Sequence, residues 1–357
     1  MKPYKLLTLC VLVALFSCGK SDSGDTTNPT TGTDSVLISL STDVILPSYK
    51  QLSASAVTLD AAVTAFNTDP STTTLTTVQT AFTEAYKSWA ACSEFEFGPA
   101  ADAFLTTHFT NAFPTDTNII KNNIGGDTYS IDGLGNYAAQ GFPAMDYLLF
   151  AYGTDATLAR FNSTGAKSYL AALSASLKTK SAAVVTAWTN TYLTTFQNAT
   201  GVNSGSSLSL LGNSYVQDFD VNLQNYKIGI PIGVYGPTVL PKAPAKVEGY
   251  YGGLSDQLLV AQIQAIKNIY LHGIDKKVIA SKAQYNGGSL NDAIVSQMNA
   301  VLSKFQALPD PLSAGIENNS TDITDAFTEV RKLTVLLKAD MSSAIGIKIS
   351  FQDDDGD

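Results

Sequence analysis

Few residues in this chain have the types and spacing that chemistry requires, and histidine is the scarcest. The 357 residues include two histidines, His108 and His272, and they form no ligand-spaced pair. A zinc protease of the zincin type needs two histidines on one helix with a glutamate base, and other divalent sites need several preorganised His or carboxylate donors. The sequence therefore argues against catalytic zinc.

Carboxylates are the remaining candidates, and Asp146 is the best of them. It follows Gly141 and Pro143 in a short apolar segment, and a proline in the first turn of a helix is favourable because that position needs no N–H. An aspartate three residues later gains from the helix dipole, so a structural role explains Asp146 as well as a binding role does. Helical spacing from Trp89 places Glu96 on the same face, although near a helix end it could simply reach solvent. We predict that Asp146 and Glu96 bind at most a weakly held cation, iron or another divalent ion.

The N-terminus has the pattern of a lipoprotein signal. Lys2 and Lys5 precede an apolar run, residues 6–16, that is too short to span a bilayer, and Leu15-Phe16-Ser17-Cys18 follows. Such a sequence is typical of processing that leaves Cys18 lipidated, and two or three acyl chains anchor a protein stably. We predict an outer-membrane lipoprotein of the cell envelope, on a face that the sequence leaves open. A plain cleaved signal with an accidental cysteine is the alternative.

The charge balance excludes one class of partner. The formal net charge is −9, and the sequence contains no cluster of Lys and Arg. Nucleic-acid binding draws its affinity from such clusters. We therefore predict no nucleic-acid partner.

Apolar residues recur at helical spacing along most of the mature chain. The segments so marked are 45–66, 78–97 (stopped by Gly98-Pro99), a short one around Pro143, 170–196, 208–226, 254–271, 290–308 and 323–345. Residues 227–235 contain glycines and a proline that favour an extended connection. Residues 100–136 form a long irregular connection, and loops of that length are often functional.

Four helices on each side of a polar break at 198–207 predict an all-α fold of two tandem four-helix-bundle-like domains with a cleft between them. The predicted organisation is a signal peptide at 1–18, a flexible tether at 19–35, one bundle at 36–200, a second at 201–350, and an acidic tail at 351–357.

Several motifs resemble those of the imelysin family of bacterial envelope proteins, which is linked to insulin-cleaving peptidase activity and to iron uptake. The resemblance covers most of the mature chain and is carried by Gly141-Phe142-Pro143-Ala144-Met145-Asp146, by residues 89–99, by Lys227-Ile228-Gly229-Ile230-Pro231 and by Val247-Glu248-Gly249-Tyr250-Tyr251. It implies an all-helical fold with the motif in a cleft between two bundles, and by family position alone it makes Glu248 a candidate residue of the second domain.

The sequence departs from the family motifs at three positions. The family motif G-x-H-x-x-E has Pro143 at its histidine and Asp146 at its glutamate, and Ser93 stands where the family has a further glutamate. By helical periodicity Ser93 shares the face of Trp89, while Glu94 turns away from it. We therefore expect no inward-facing carboxylate at Ser93 or at Glu94. The motif residues Gly141, Pro143, Asp146, Trp89, Ser93 and Glu248 thus mark a cleft without its metal ligands.

These observations favour a binding component without peptidase activity, and the resemblance links it to iron or haem uptake proteins as partners. A metal-dependent peptidase that recruits Asp146, Glu96 and His108 is the first alternative. A structural scaffold for envelope partners is the second.

Overall fold

The computed structural model describes residues 34–126 and 128–351, and most of these residues are helical. The predicted signal peptide, the lipidation of Cys18 and the acidic tail beyond residue 351 lie outside the described residues. Within them, no helix is both long and apolar enough to cross a bilayer.

The α-helices are α1 Ser35–Ser39, α2 Leu46–Thr68, α3 Thr72–Ala90, α4 Pro99–Asp102, α5 Thr107–Thr110, α6 Thr117–Gly125, α7 Gly141–Phe150, α8 Thr154–Arg160, α9 Thr164–Ala187, α10 Leu193–Asn198, α11 Ser207–Gln217, α12 Ile230–Ile232, α13 Ser255–Ile269, α14 Asp275–Ser281, α15 Leu290–Gln306, α16 Leu312–Glu317, α17 Thr321–Val335 and α18 Ser342–Ile345.

Shorter elements complete the chain. The 3₁₀-helices are Ser93–Phe95, Leu134–Ala139 and Pro244–Lys246. Two antiparallel hairpins pair β1 Val234–Tyr235 with β2 Thr238–Val239, and β3 Gln284–Tyr285 with β4 Gly288–Ser289.

Stretches of π-helix join several of the α-helices into longer continuous ones. They are Leu40–Ile45, Trp188–Tyr192, Asp218–Gly229, Tyr270–Ile274 and Leu336–Met341. A π-helix bonds residue i to i+5, is rare, and appears mostly as a single turn inside an α-helix, frequently at a functional site. The segment Asp218–Gly229 is 12 residues long, so it is the most unusual stretch of the fold.

The predicted all-α class is confirmed by this architecture. Buried apolar side chains form one cluster that continues across the polar break at 198–207, since α3 packs against α13. The division into two tandem bundles therefore stays a prediction.

Three local predictions were wrong. The second helix ends at Ala90, not near Phe97, because the chain turns at Ala91-Cys92 while Phe95 and Phe97 are still buried. Residues 227–232 are helical, not extended. The predicted tether extends too far toward the C-terminus, because the first helix, α1, already begins at Ser35. The Asp34 carboxylate caps this helix by accepting a hydrogen bond from the Val36 N–H at 3.0 Å.

Candidate functional site

A cavity of about 570 Å³ lies between the connection that follows α4 and the π-helical segment Asp218–Gly229. The volume is typical of a small-molecule site. Its walls come from three parts of the chain: Ser93 and Glu96; Thr107, His108, Asn111, Ala112 and Phe113; and Leu210, Asn213, Ser214, Gln217, Asp218, Val221, Asn222 and Tyr226. The long connection at 100–136 thus supplies one wall.

Asp218 is the most enclosed carboxylate of the cavity wall, at 3% exposure. Gln262 Nε2 donates to its Oδ2 at 2.5 Å, Ser93 Oγ donates to Oδ2 at 3.3 Å, and Asn222 Nδ2 donates to Oδ1 at 2.9 Å. These three donors are neutral, and among the described residues no cation forms an ion pair with this carboxylate. The negative charge of Asp218 therefore acts on the groups around it.

Glu96 is the second carboxylate of the wall. Its Oε1 accepts hydrogen bonds from both the backbone N–H and the hydroxyl of Thr107, and Asn222 Nδ2 reaches the same hydroxyl at 3.4 Å. Burial raises the pKa of Glu96 to about 7, the bonds from Thr107 oppose the rise, and the charge of Asp218 adds to it. Glu96 therefore exchanges its proton near neutral pH.

Glu94 lies beneath this wall, contrary to the outward position that helical periodicity predicted. The chain has left α3 by this point, and the 3₁₀ turn Ser93–Phe95 directs the side chain inward, where it is 0% exposed. Neither carboxyl oxygen has a hydrogen-bond partner among the described residues. Burial, with the nearby charge of Asp218, raises the pKa of Glu94 well above its usual range and so favours its protonated form.

A buried ion pair stands next to these acids. Lys227 Nζ lies 2.9 Å from Glu248 Oε2, and the two side chains are 3% and 1% exposed. Asn111 Nδ2 donates to Glu248 Oε1 at 2.6 Å, and Tyr86 OH donates to Asn111 Oδ1 at 2.6 Å. Glu248, predicted from family position, thus holds a lysine and a residue of the cavity wall.

Asp146, by contrast, is joined to a loop from the second half of the chain. Its carboxylate accepts from the backbone N–H groups of Tyr251 and Gly252, each at 2.9 Å. Burial raises the pKa of Asp146 to about 7, although both N–H bonds lower it, and the charge of Glu248 raises it further. The helix dipole was expected to stabilise Asp146, but its effect fades beyond the first turn of a helix. Asp146 is the sixth residue of α7, so the dipole does not account for its position.

The start of α7 is built to approach another backbone closely. Gly141 has φ +66°, and a Cβ there would lie 2.1 Å from the carbonyl oxygen of Thr110. Pro143 is buried in the first turn as predicted. Phe142 stacks on Tyr86 with ring centroids 4.5 Å apart. The motif helix is therefore fixed against the wall that carries Thr107 to Asn111.

The cavity brings some of the predicted site residues together and leaves others out. Ser93, Glu96 and His108 line it, whereas Asp146 and Trp89 do not, and Trp89 is a core residue at 1% exposure. Sequence reasoning missed Asp218, Gln262 and Glu94. The polar run Asp218-Phe219-Asp220-Val221-Asn222, placed inside an otherwise apolar helical segment, was the signal that could have revealed Asp218.

The donors do not fit a tightly held bare metal ion. Among residues 34–126 and 128–351, no group of three or more His, Cys, Asp or Glu side chains could hold one. The predicted ligands Asp146 and Glu96 each accept hydrogen bonds from separate partners. A cation in this cavity would need ligands other than these side chains.

Comparisons with known proteins bear on the family and the fold. The sequence model of the family described as Imelysin, Peptidase_M75, matches residues 45–337. No curated protein matches the chain.

Two crystal structures show the same fold. An imelysin-like protein from Psychrobacter arcticum 273-4 has a TM-score of 0.68 at 16% identity, over 88% of this chain and 96% of that one. A protein named as an iron-regulated protein A precursor, from Parabacteroides distasonis ATCC 8503, has a TM-score of 0.70 at 17% identity, over 90% and 97%. At these identities the likeness shows a shared fold.

Proposed function

Because the chain belongs to the imelysin family, whose sequence model matches residues 45–337, we propose that it is a binding component of the bacterial envelope that takes part in iron acquisition. The cavity beside Asp218 and Glu96 is its ligand site. One structural neighbour is named as an iron-regulated protein A precursor, which supports the link to iron. The signal pattern that ends at Cys18 supports an outer-membrane lipoprotein.

The observation that carries the proposal is the charge of the cavity. Two carboxylates, Asp218 and Glu96, contribute to its lining, and the described lining residues include no lysine or arginine. Two unit charges about 4 Å apart interact by about 4 kcal/mol at the effective dielectric constant of a protein surface. An iron-bearing cation is therefore favoured over haem, whose propionate groups would face these carboxylates.

The test is iron retention by the purified mature chain. The protein is mixed with ferric and ferrous iron, both free and in chelated form, passed over a desalting column and analysed for bound iron. We expect about one iron per chain in at least one form and a loss of about tenfold in affinity in Asp218→Asn. Asp322→Asn, an exposed carboxylate of α17 outside the cavity, is the matched control. Failure to retain iron in any form would overturn the proposal.

The membrane anchor is tested separately. Wild-type protein should fractionate with the outer membrane and begin at an acylated Cys18, and Cys18→Ala should give an unprocessed or released chain. Wild-type protein that is fully soluble without detergent would contradict the anchor while leaving the cavity proposal intact.

A metal-dependent peptidase is the second candidate, because Glu96 and His108 line the same cavity. Asp146, the third residue of that hypothesis, binds the loop at Tyr251 instead. Chelator-sensitive cleavage of casein or insulin that is abolished in Glu96→Gln and in His108→Ala would establish the peptidase and displace the binding role.

A further inference from the structure

The cavity has two chemically different parts. Its floor holds the carboxylates of Asp218 and Glu96, whereas the solvent-exposed part of its lining, the rim, includes Leu210 and the rings of His108 and Tyr226 beside the polar Gln217. Tyr226 and Leu210 on the rim are 40% and 36% exposed. Exposed rings thus lie beside two carboxylates in one cavity.

The rings of the rim are held in place by stacking. His108 stacks on Tyr137 with centroids 4.8 Å apart and an interplanar angle of 13°, and Tyr226 lies nearly parallel to Tyr235 at 6.3 Å. Rings fixed by neighbours lose little conformational freedom when a ligand packs on them. Aromatic faces also attract cations, by roughly 0.5–2 kcal/mol each.

The two carboxylates of the floor are better placed to attract a positive charge through space than to coordinate a metal ion directly. Both oxygens of Asp218 already accept hydrogen bonds, from Gln262, Ser93 and Asn222. A bare ion would have to displace these donors and lose its own water, with fewer than three charged ligands in return. Iron would therefore need to bring its own ligand shell.

We infer that iron reaches this cavity already chelated, as a ferric complex of net positive charge with an apolar organic body. The inference rests on the proposed function and names the ligand class of the same site. The acidic floor attracts the charge, the rim packs on the organic body, and a volume of about 570 Å³ matches a small molecule better than an ion. Ferric trihydroxamates with a free ammonium group have this chemistry.

The experiment is a calorimetric titration of the purified chain with five probes. They are a ferric trihydroxamate that bears an ammonium group, its N-acetylated neutral form, the metal-free chelator, a ferric tricatecholate of negative charge, and unchelated iron. We expect the cationic ferric chelate to bind at least about tenfold more tightly than the catecholate or unchelated iron. Acetylation should weaken binding severalfold, and the metal-free chelator should also bind more weakly because it is not preorganised.

Variants separate the two parts of the cavity. Asp218→Asn should reduce the preference for the ammonium form over the acetylated form, and Tyr226→Ala should weaken both forms by about fivefold through lost packing. Tyr285→Ala, at 36% exposure on the β3–β4 hairpin, is the matched control and should change neither. Thermal melting confirms that each variant is folded.

The outcomes separate this inference from the function on which it rests. Equal binding of unchelated iron or of the catecholate would overturn the inference and keep the iron function. Equal binding of the metal-free chelator would make the cavity a site for organic amines and overturn the inference. Binding of no ferric species would overturn both.

Discussion

Asp146 and Glu96 are two carboxyl groups with similar pKa values and different surroundings. Burial raises the pKa of each to about 7. Asp146 lies in a closed network, where its oxygens accept from the N–H groups of Tyr251 and Gly252. Glu96 accepts from Thr107 and forms part of a cavity wall.

The difference shows that a perturbed pKa does not by itself mark a functional residue. Asp146 stands at the family's motif position, yet in this chain its contacts join two distant segments. Gly252 leaves room for that contact, because a Cβ there would lie 2.9 Å from Asp146 Oδ1. We therefore interpret the closed network as structural and the cavity wall as functional, and four predictions test this division.

The largest effect is expected at the buried ion pair of Glu248 with Lys227, which we also assign to the structural side of the comparison. Glu248→Gln removes the charge that faces Lys227 at 2.9 Å and leaves a buried ammonium group without its counter-ion. We expect the free energy of unfolding to fall by about 3–5 kcal/mol in a denaturant titration. Glu84→Gln, which breaks an exposed pair with Lys87, should change it by less than about 1 kcal/mol. Similar values for the two variants would contradict the division.

The pH dependence of stability should be the next largest. The folded-state pKa values of Asp146 and Glu96, about 7, lie above their unfolded values, so the folded chain keeps protons that the unfolded chain releases. Their contribution is full below about pH 4, falls as the pH rises to about 7, and amounts to at most about 4 kcal/mol for each group. Denaturation curves from pH 4 to 8 should show this fall, and Asp146→Asn should flatten it.

Asp132 supplies the control for that experiment. Its pKa is lowered by bonds from Lys180 and Ser176, which outweigh the effect of burial. Its stabilising contribution is therefore present above its unfolded pKa and is lost as the pH falls through the folded value. Asp132→Asn should leave the slope of stability between pH 5 and 8 unchanged, and a changed slope would show that Asp146 and Glu96 are not its source.

Removing the Asp146 side chain should have an intermediate effect. Asp146→Ala leaves the N–H groups of Tyr251 and Gly252 without their acceptor and should cost about 1–3 kcal/mol of stability. Asp146→Asn keeps one acceptor oxygen and should recover part of this loss. Ligand affinity should change little, so loss of binding in a folded Asp146→Ala protein would move Asp146 to the functional side of the comparison.

The smallest effect on stability is expected at Glu96. At pH 5, where Glu96 is protonated, Glu96→Gln retains an oxygen that can accept from Thr107, so the free energy of unfolding should change by less than about 1 kcal/mol. Binding of a cationic ligand at pH 8 should nevertheless weaken. A large loss of stability together with unchanged binding would reverse the assignment of the two carboxyl groups.

Periodicity predicted the helices well and failed where burial continued after a helix had ended. Phe95 and Phe97 are buried, so the apolar pattern extends beyond Ala90 although the helix does not. The error carried over to Glu94, because a helical wheel cannot place a residue that lies outside the helix. The sequence around the turn at Ala91-Cys92 contains no glycine or proline that would mark it.

The site was predicted only in part, for a related reason. Glu96 and Ser93 were singled out and do line the cavity, whereas Asp218 lies in a π-helical segment that no 3.6-residue period describes. Gly229, Pro231 and Gly233 also suggested an extended chain, but Gly229 lies in a helix. A Cβ at Gly229 would lie 2.7 Å from the Val234 carbonyl oxygen. Tertiary contacts determine the conformation of these residues, and local composition does not reveal those contacts.

The contact between Asp146 and the Tyr251 loop also has a consequence for the order of folding. It joins positions 105 residues apart, and closing so long a loop has an entropic cost that local helix formation does not. We expect this contact to form after the main folding barrier, so Asp146→Ala should speed unfolding and leave the refolding rate nearly unchanged in stopped-flow measurements. In that case the Asp146 carboxylate determines the lifetime of the folded state and not the rate at which the protein folds.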